Sequence, residues 1–456
     1  MISAYIMPHP PAAVPEVGYK DLEGMRLTLD AFDKASEMIA EDSPETVVVI
    51  SPHAPMYRDA FYIAAGNLGQ GSLANFGAPE AFIGADYDTE LAAEIIKLCE
   101  IQDVPVVYSE KEADILDHGA LVPLLFIAKK YVNFRILRIS PSYLPSEILI
   151  KMGKIIERAA AHVGRNVTIL ASGDLSHRLK EDGPYGFNPA GPDFDAKITE
   201  AMKSFDVDAF CCLCDDHDFL DRAGQCGTPA FTMMAGALMD NYRVTPDFLS
   251  YEGPFGVGYA ICAYKCEDVC VSLARKSLET YIRTGERISL FVPKESDSTC
   301  ECKKNGGGPD FGSGIMREWM LTEEAGVFVS LKKNGELRGC IGTFLPTTPC
   351  IAEEICRLAI ESGTADPRFS PVTEDELDEL TYSVDVLSTP MPAKRDELDA
   401  KRYGVIVSKG YRRGLLLPNL EGVDSVEEQL RIALMKGRIS PEEDYDIECF
   451  TVERHR

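Results

Sequence analysis

The chain has no apolar run of about eighteen residues, the length a helix needs to cross a bilayer. Its 456 residues are 45% hydrophobic and 26% charged, which points to a soluble globular protein. The opening MISAYIMPHPPAAVPE lacks a basic leader and a long apolar segment, so no secretory signal is visible and a cytoplasmic location is expected. Positive charge is in short supply. Against 73 acidic residues there are 46 basic ones, and the formal charge of −27 repels phosphate backbones and anionic membrane surfaces. Nucleic acid and membrane partners are therefore not expected, whereas small molecules and proteins are. No internal repeat is visible. The glycine-rich segment SDSTCECKKNGGGPDFGSG, residues 296–314, lacks the Gly-Lys-Ser/Thr ending of a P-loop and reads as a loop without a phosphate site.

What is present exceeds what one hydrophobic core usually supports, and two domains are the simplest division. From residue 1 to about 265, β-branched runs alternate with helical stretches, the pattern of an α/β sheet covered by helices. Strands are expected at 3–7, 46–51, 105–109, 134–139, 166–171 and 257–264, with helices at 21–39, 89–100, 119–131 and 146–163. A second, smaller α+β domain is expected over residues 266–456. It opens on the amphipathic stretch CEDVCVSLARKSLETYIRTGE and contains a hairpin turning at Asn334-Gly335. Ser425 and Glu428 have capping-box spacing ahead of a helix expected to close at Gly437.

Fourteen cysteines are scattered through a chain with no export signal, so reduced thiols are expected. The spacing of Cys262, Cys266 and Cys270 differs from that of radical iron–sulfur enzymes and reads as one stripe of a helix. Cys211, Cys212 and Cys214 beside an acidic run suggest nothing definite.

Histidine is scarce, and its placement is informative. Six of the seven lie before residue 218, and the seventh, His455, is near the end. His9 and His53 sit in Pro8-His9-Pro10 and Pro52-His53-Ala54, at the ends of expected strands, where side chains from neighbouring strands converge beyond a sheet edge. Proline on both sides of His9 fixes the backbone that aims the imidazole. His118 in LeuAspHisGly and His177 in SerGlyAspLeuSerHis occupy comparable places. Taken singly, each could be an ordinary turn histidine. Together they point to a shared metal or acid–base site. His162 and His217 look structural.

The strings MPHPP, SPHAP, LDHG and GDLSH, in this order over residues 1–265, resemble the class III extradiol dioxygenase family and the related Memo proteins. That resemblance implies a non-haem Fe(II) site with His9 and His53 as metal ligands, His177 as the acid–base group and His118 as a donor to substrate or oxygen. Where the family has a glutamate, this chain reads AGQCGTPAFTMMAGALMD, which makes Cys226 the expected third ligand, with Glu252 as the carboxylate alternative. A thiolate also suits copper or zinc. In the second domain, LRGCIGTF, ADPRFSPV, YGVIVSKG and RGLLLPNLEGVDSVEEQL resemble the AMMECR family. The fusion is similar to protein A of the AmmeMemoRadiSam system, which implies a radical S-adenosylmethionine enzyme and a Memo homologue as partners. Strand alternation puts Arg338 and Cys340 on one face, where Cys340 is read as a small buried thiol rather than a nucleophile. Asp366, Arg368 and Arg413 are candidate polar groove residues.

The expected function is that of an Fe(II)-dependent oxidoreductase acting on a catechol-like or vicinal-diol small molecule. A metal-binding scaffold without oxygenase activity and a metal-assisted hydrolase are the alternatives.

Overall fold

The computed structural model describes all residues except 1, 19–21, 242, 291–317 and 421, so the glycine-rich loop expected at 296–314 lies outside the described residues. The chain divides into two compact units, Met1–Cys266 and Glu267–Arg456. No helix among the described residues is long and apolar enough to cross a membrane.

The first unit contains β1 (Ile2–Met7), β2 (Thr46–Ile50), β3 (Phe61–Ala64), β4 (Leu68–Leu73), β5 (Ala78–Asp86), β6 (Val106–Ser109), β7 (Arg135–Ser140), β8 (Val167–Ser172), β9 (Val244–Glu252) and β10 (Tyr259–Cys266). Eight of these form one mixed sheet in the order β6-β3-β7-β2-β8-β1-β10-β9, and β4 and β5 make a separate hairpin. Strands β7, β2, β8 and β1 run parallel. Alternate residues of one strand feed two cores: Ala4, Ile6, Val48 and Ile50 pack on one face, and Tyr5, Met7, Val47 and Val49 on the other. Burial of both faces explains why these strands read as unbroken apolar runs.

The expected helices are present as Arg26–Asp42, Thr89–Ile101, His118–Ala128 and Ser146–His162. A further helix, Thr228–Leu238, is largely apolar and buried at every residue but Pro229. It crosses Ser146–His162 so closely that a Cβ on Gly236 would lie 2.3 Å from the Ile150 carbonyl oxygen. Strands β3, β4, β5 and β9 have no counterpart among the strands expected from the sequence.

One local reading is overturned. Cys262 and Cys266 lie on β10, and Cys270 lies in the first turn of the helix Val269–Thr284, so the three do not form a helix stripe. Pairing with β9 holds the chain extended as far as Cys266, opposite Val244, and this overrides the helical spacing. Every described cysteine is a free thiol.

The second unit contains β11 (Val327–Lys333), β12 (Glu336–Gly342), β13 (Leu380–Leu387), β14 (Met391–Pro392), β15 (Gly404–Lys409), β16 (Arg412–Leu416), β17 (Asp446–Phe450) and β18 (Val452–His455). They form two four-stranded sheets, β12-β11-β13-β18 and β14-β17-β15-β16. The β11–β12 turn is made by Asn334 and Gly335, both at positive φ (52° and 83°), as a tight hairpin requires. The helix Val426–Gly437 starts as expected, with the Ser425 side chain accepting from the Glu428 N–H at 3.2 Å. It is Arg438, not Gly437, that takes the left-handed closing position. Gly437 is small for another reason: a Cβ there would lie 2.9 Å from the Gly414 nitrogen.

Candidate metal centre

In the parallel core, Ile6, Ala171 and Ile50 share one row, so β1, β8 and β2 end together and their following loops rise from the same carboxyl edge. His9 follows β1, His53 follows β2, and Asp174 and His177 follow β8. Cys226 arrives from the segment ahead of the helix Thr228–Leu238. His9, His53 and Cys226 place one donor atom each within 4.8 Å of one another. His9 Nε2 is 3.0 Å from His53 Nε2 and 3.6 Å from Cys226 Sγ. Donors bound at about 2.0–2.3 Å to one ion with near-tetrahedral angles would lie roughly 3.3 and 3.6 Å apart, so this donor set fits a single metal ion.

The tautomer of His9 is also prepared. Its Nδ1 is 2.9 Å from Ser172 Oγ, and that hydroxyl donates its own proton to the Gly119 carbonyl. Ser172 therefore accepts from His9 Nδ1–H, which leaves the Nε2 lone pair facing His53 and Cys226. The ring is only 2% exposed. Burial, reinforced by the neighbouring His118, lowers its pKa to about 3. His53 reaches solvent at the mouth of the site, and burial and His9 bring it down to about 4. Both are held neutral, the ligand form. Burial and Asp174 push the Cys226 thiol up, so a bound cation is what would make it a thiolate.

Asp174, inside GDLSH, carries no signal of its own in the sequence, and it proves central. Its Oδ1 accepts from His9 N–H at 2.9 Å, and its own N–H donates to Cys226 Sγ at 3.3 Å. Its Oδ2 is 3.9 Å from His9 Nε2 and 4.0 Å from His177 Nε2. Glu252, by contrast, accepts from the Thr28 N–H and hydroxyl, both at 2.6 Å, and lies outside the donor group.

The remaining two histidines surround this group. His118 opens the helix His118–Ala128 behind its N-cap Asp117, and its ring centroid is 4.1 Å from that of His53. Asp117 is fixed by Ser51 and by Arg138, a fully buried arginine that also donates to the carbonyls of Glu112 and Ile115. Gly119 is needed because a Cβ there would lie 2.4 Å from Ser51 Oγ. His177 stacks on Tyr185 at 5.0 Å, and its Nε2 is buried without a hydrogen-bond partner among the described residues. Desolvation lowers its pKa. His162 pairs with Glu94 on the surface, and His217 is exposed at the start of a short helix, so neither joins the site.

The residues singled out in the second unit all have partners, and Cys340, read from the sequence as a buried thiol, is only half-buried because it lies on β12, the edge strand of its sheet. Arg338 pairs with Glu376 at 2.8 Å, while the Cys340 N–H donates to Asp366. Asp366 in turn pairs with Arg368. Arg413 pairs with Glu448 and lines an open polar cleft of about 570 Å³ with Ser408, Tyr445 and Asp446.

These shifts make metal-stripped protein acid-sensitive. The folded pKa of His9 lies below its unfolded 6.5, so its contribution to stability is complete above pH 6.5 and is lost as pH falls toward 3. The loss is at most about 1.4 kcal/mol per pH unit for this group. His53, His118 and His177 act in the same sense, while Asp174, whose carboxyl is raised by burial, opposes them. Chelator-treated protein should therefore melt at a lower temperature at pH 5 than at pH 7.5, and an unchanged Tm would contradict this assignment.

Residues 3–262 match the family described as the catalytic LigB subunit of aromatic ring-opening dioxygenase, and residues 271–455 match AMMECR1. A protein of Clostridium acetobutylicum is 39% identical over 484 residues, covering 99% of this chain and 98% of its own. A Thermotoga maritima protein is 49% identical over 190 residues, 41% of this chain and 96% of its own. A crystal structure of a Pyrococcus horikoshii protein aligns with 41% of this chain and 88% of its own, at 32% identity and a TM-score of 0.33.

Proposed function

Because the chain belongs to the family of the catalytic LigB subunit of aromatic ring-opening dioxygenases, we propose that its first unit is a mononuclear metal centre acting as a dioxygenase-like oxidoreductase on a catechol-like or vicinal-diol substrate. The observation that carries this reading is the donor trio His9, His53 and Cys226 beside a buried His177 Nε2 that has no hydrogen-bond partner among the described residues. Iron(II) is the metal proposed, with copper or zinc as substitutes a thiolate would accept. Bound there, the metal would supply Lewis acidity and redox capacity to a chelating diol and to dioxygen.

The protein's own part is proton management and positioning. His177, neutral at pH 7, accepts a proton from a substrate hydroxyl at Nε2, and Asp174 Oδ2 at 4.0 Å stabilises the imidazolium that results. Tyr185 holds the His177 ring by stacking. His118, packed on His53, is a second nitrogen base beside the donor trio. The second unit is proposed to dock a radical S-adenosylmethionine enzyme or a Memo homologue, a reading supported by the resemblance of the fused chain alone.

A second reading is a metal-binding scaffold without oxygenase activity, and Cys226 is the observation that favours it. A thiolate changes charge donation to the metal and is itself open to oxidation. Anaerobically purified, iron-loaded protein challenged with a catechol panel and oxygen separates the two. A metal-to-catecholate band with turnover supports the oxidoreductase, and absence of both supports the scaffold. If the first holds, His177→Asn should keep its metal and lose about 10²–10⁴ in turnover, the usual value of a positioned acid–base group. A His177→Asn protein with full turnover would remove that role.

A further inference from the structure

We propose that the second unit carries a metal site of its own, in which Asp268, Cys270 and His455 hold a zinc ion. Each offers one donor atom, and these atoms lie within 4.8 Å of one another. Asp268 is the N-cap of the helix Val269–Thr284, and its Oδ1 accepts from the Cys270 and Val271 N–H groups at 2.8 and 3.3 Å. That anchor leaves Oδ2 facing His455 Nδ1 at 3.0 Å. Cys270, fully buried, lies in the first turn, two residues after the capping aspartate. His455 ends β18, which is held in place by pairing of Val384 with His455.

An ordinary aspartate–histidine ion pair accounts for only part of this arrangement. The His455 side chain is 9% exposed, its ring stacks on Trp319, and its Nε2 is buried with no hydrogen-bond partner among the described residues. What the pair does not account for is the fully buried Cys270 thiol, whose sulfur lies within 4.8 Å of the donor atoms of both partners. The Glu453 carboxylate, 74% exposed, lies 3.8 Å from Nε2, the ring nitrogen turned away from Asp268, and so stands outside the donor group. A carboxylate, a thiol and an imidazole together form a nitrogen, oxygen and sulfur donor set suited to zinc. On binding, the Cys270 thiol proton and the Nδ1 proton that His455 shares with Asp268 are given up, the imidazole keeping a proton only at Nε2, and the Asp268 carboxylate and the thiolate balance the charge of the ion.

The test uses the full chain carrying His53→Ala and Cys226→Ala, which silences the first centre, stripped with chelator and titrated with zinc against a chromophoric chelator. The expected result is one equivalent of zinc retained. Cys270→Ser and His455→Gln, each added to that background, should weaken binding by more than the roughly 10–100-fold that losing an outer partner costs. Cobalt in place of zinc should give a thiolate-to-cobalt charge-transfer band that Cys270→Ser removes. Asp268→Asn retains the helix cap and should weaken binding without unfolding the unit, as followed by circular dichroism. No zinc bound to the background protein would overturn the site. So would zinc binding that survives Cys270→Ser undiminished.

Discussion

Protein carrying Cys226→Ala should purify without the iron of its first centre while melting as a folded chain. The thiol occupies the one donor position that joins His9 and His53 into a group of three, 3.6 Å from His9 Nε2. Two imidazoles remain after its removal, and one of them, His53, is open to solvent. Losing a direct ligand should cost more affinity than the roughly 10–100-fold seen for outer partners. The fold should tolerate the change, because among the described residues Cys226 Sγ receives one N–H, that of Asp174, and the loop is also held by Cys226 N–H to the Asp174 carbonyl. Glu252→Gln supplies the contrast. That carboxylate serves Thr28 at the start of the helix Arg26–Asp42, so the variant should keep its metal and lose about 1–3 kcal/mol of stability at most. Iron analysis after anaerobic purification reads both. Iron retained in Cys226→Ala and lost in Glu252→Gln would transfer the third ligand to the carboxylate.

His9 and His53 were legible because each stands in a proline-flanked turn just past an apolar run, and an apolar run buried on both faces is the plainest strand signal a sequence carries. Cys226 could be named only through the resemblance, since nothing local distinguishes it from the other thiols. The contributions of Ser172 and Asp174 could not be read at all. Each acts through a partner more than fifty residues away, Ser172 on His9 and Gly119, Asp174 on His9 and Cys226. Arg138 is a sharper case. In RILRIS it looks like the outward residue of a half-exposed strand, yet it is 1% exposed, because the carbonyls of Glu112 and Ile115 and the Asp117 carboxylate converge on it. The strands that escaped notice are short, like β3, or broken by glycine and proline, like β4 and β5. Their apolar pattern is too brief to show a period. The helix stripe of three cysteines failed for the opposite reason. The period was present in the sequence, but sheet pairing along β10 decided the backbone.

The approach of the two loops that join Asp174 to Cys226 depends on two glycines, and Gly173→Ala should therefore damage stability and metal content together. A Cβ on Gly173 would lie 2.2 Å from the Cα of Gly227 and 3.0 Å from the Phe231 ring. The first of these is backbone and cannot rotate away. Relief requires the 173–177 and 225–227 segments to part, which breaks the Asp174 N–H to Cys226 Sγ bond at 3.3 Å and the Cys226 N–H to Asp174 carbonyl bond at 3.4 Å. Overpacking of this kind costs about 1–3 kcal/mol, and the two lost bonds add to it. The thiol then moves away from His9, so the metal should leave even from protein that remains folded. Gly164→Ala is the control. It sits at φ 64° with nothing within 4 Å of its Cβ, so it carries only the local strain of a left-handed residue, about 1–2 kcal/mol, and lies far along the chain from any donor. Urea unfolding and metal analysis of the two variants distinguish the mechanisms. Loss of stability alone in Gly164→Ala, against loss of stability and metal in Gly173→Ala, is the expected pattern. A Gly173→Ala protein that binds metal normally would show that the contact between the loops does not position Cys226.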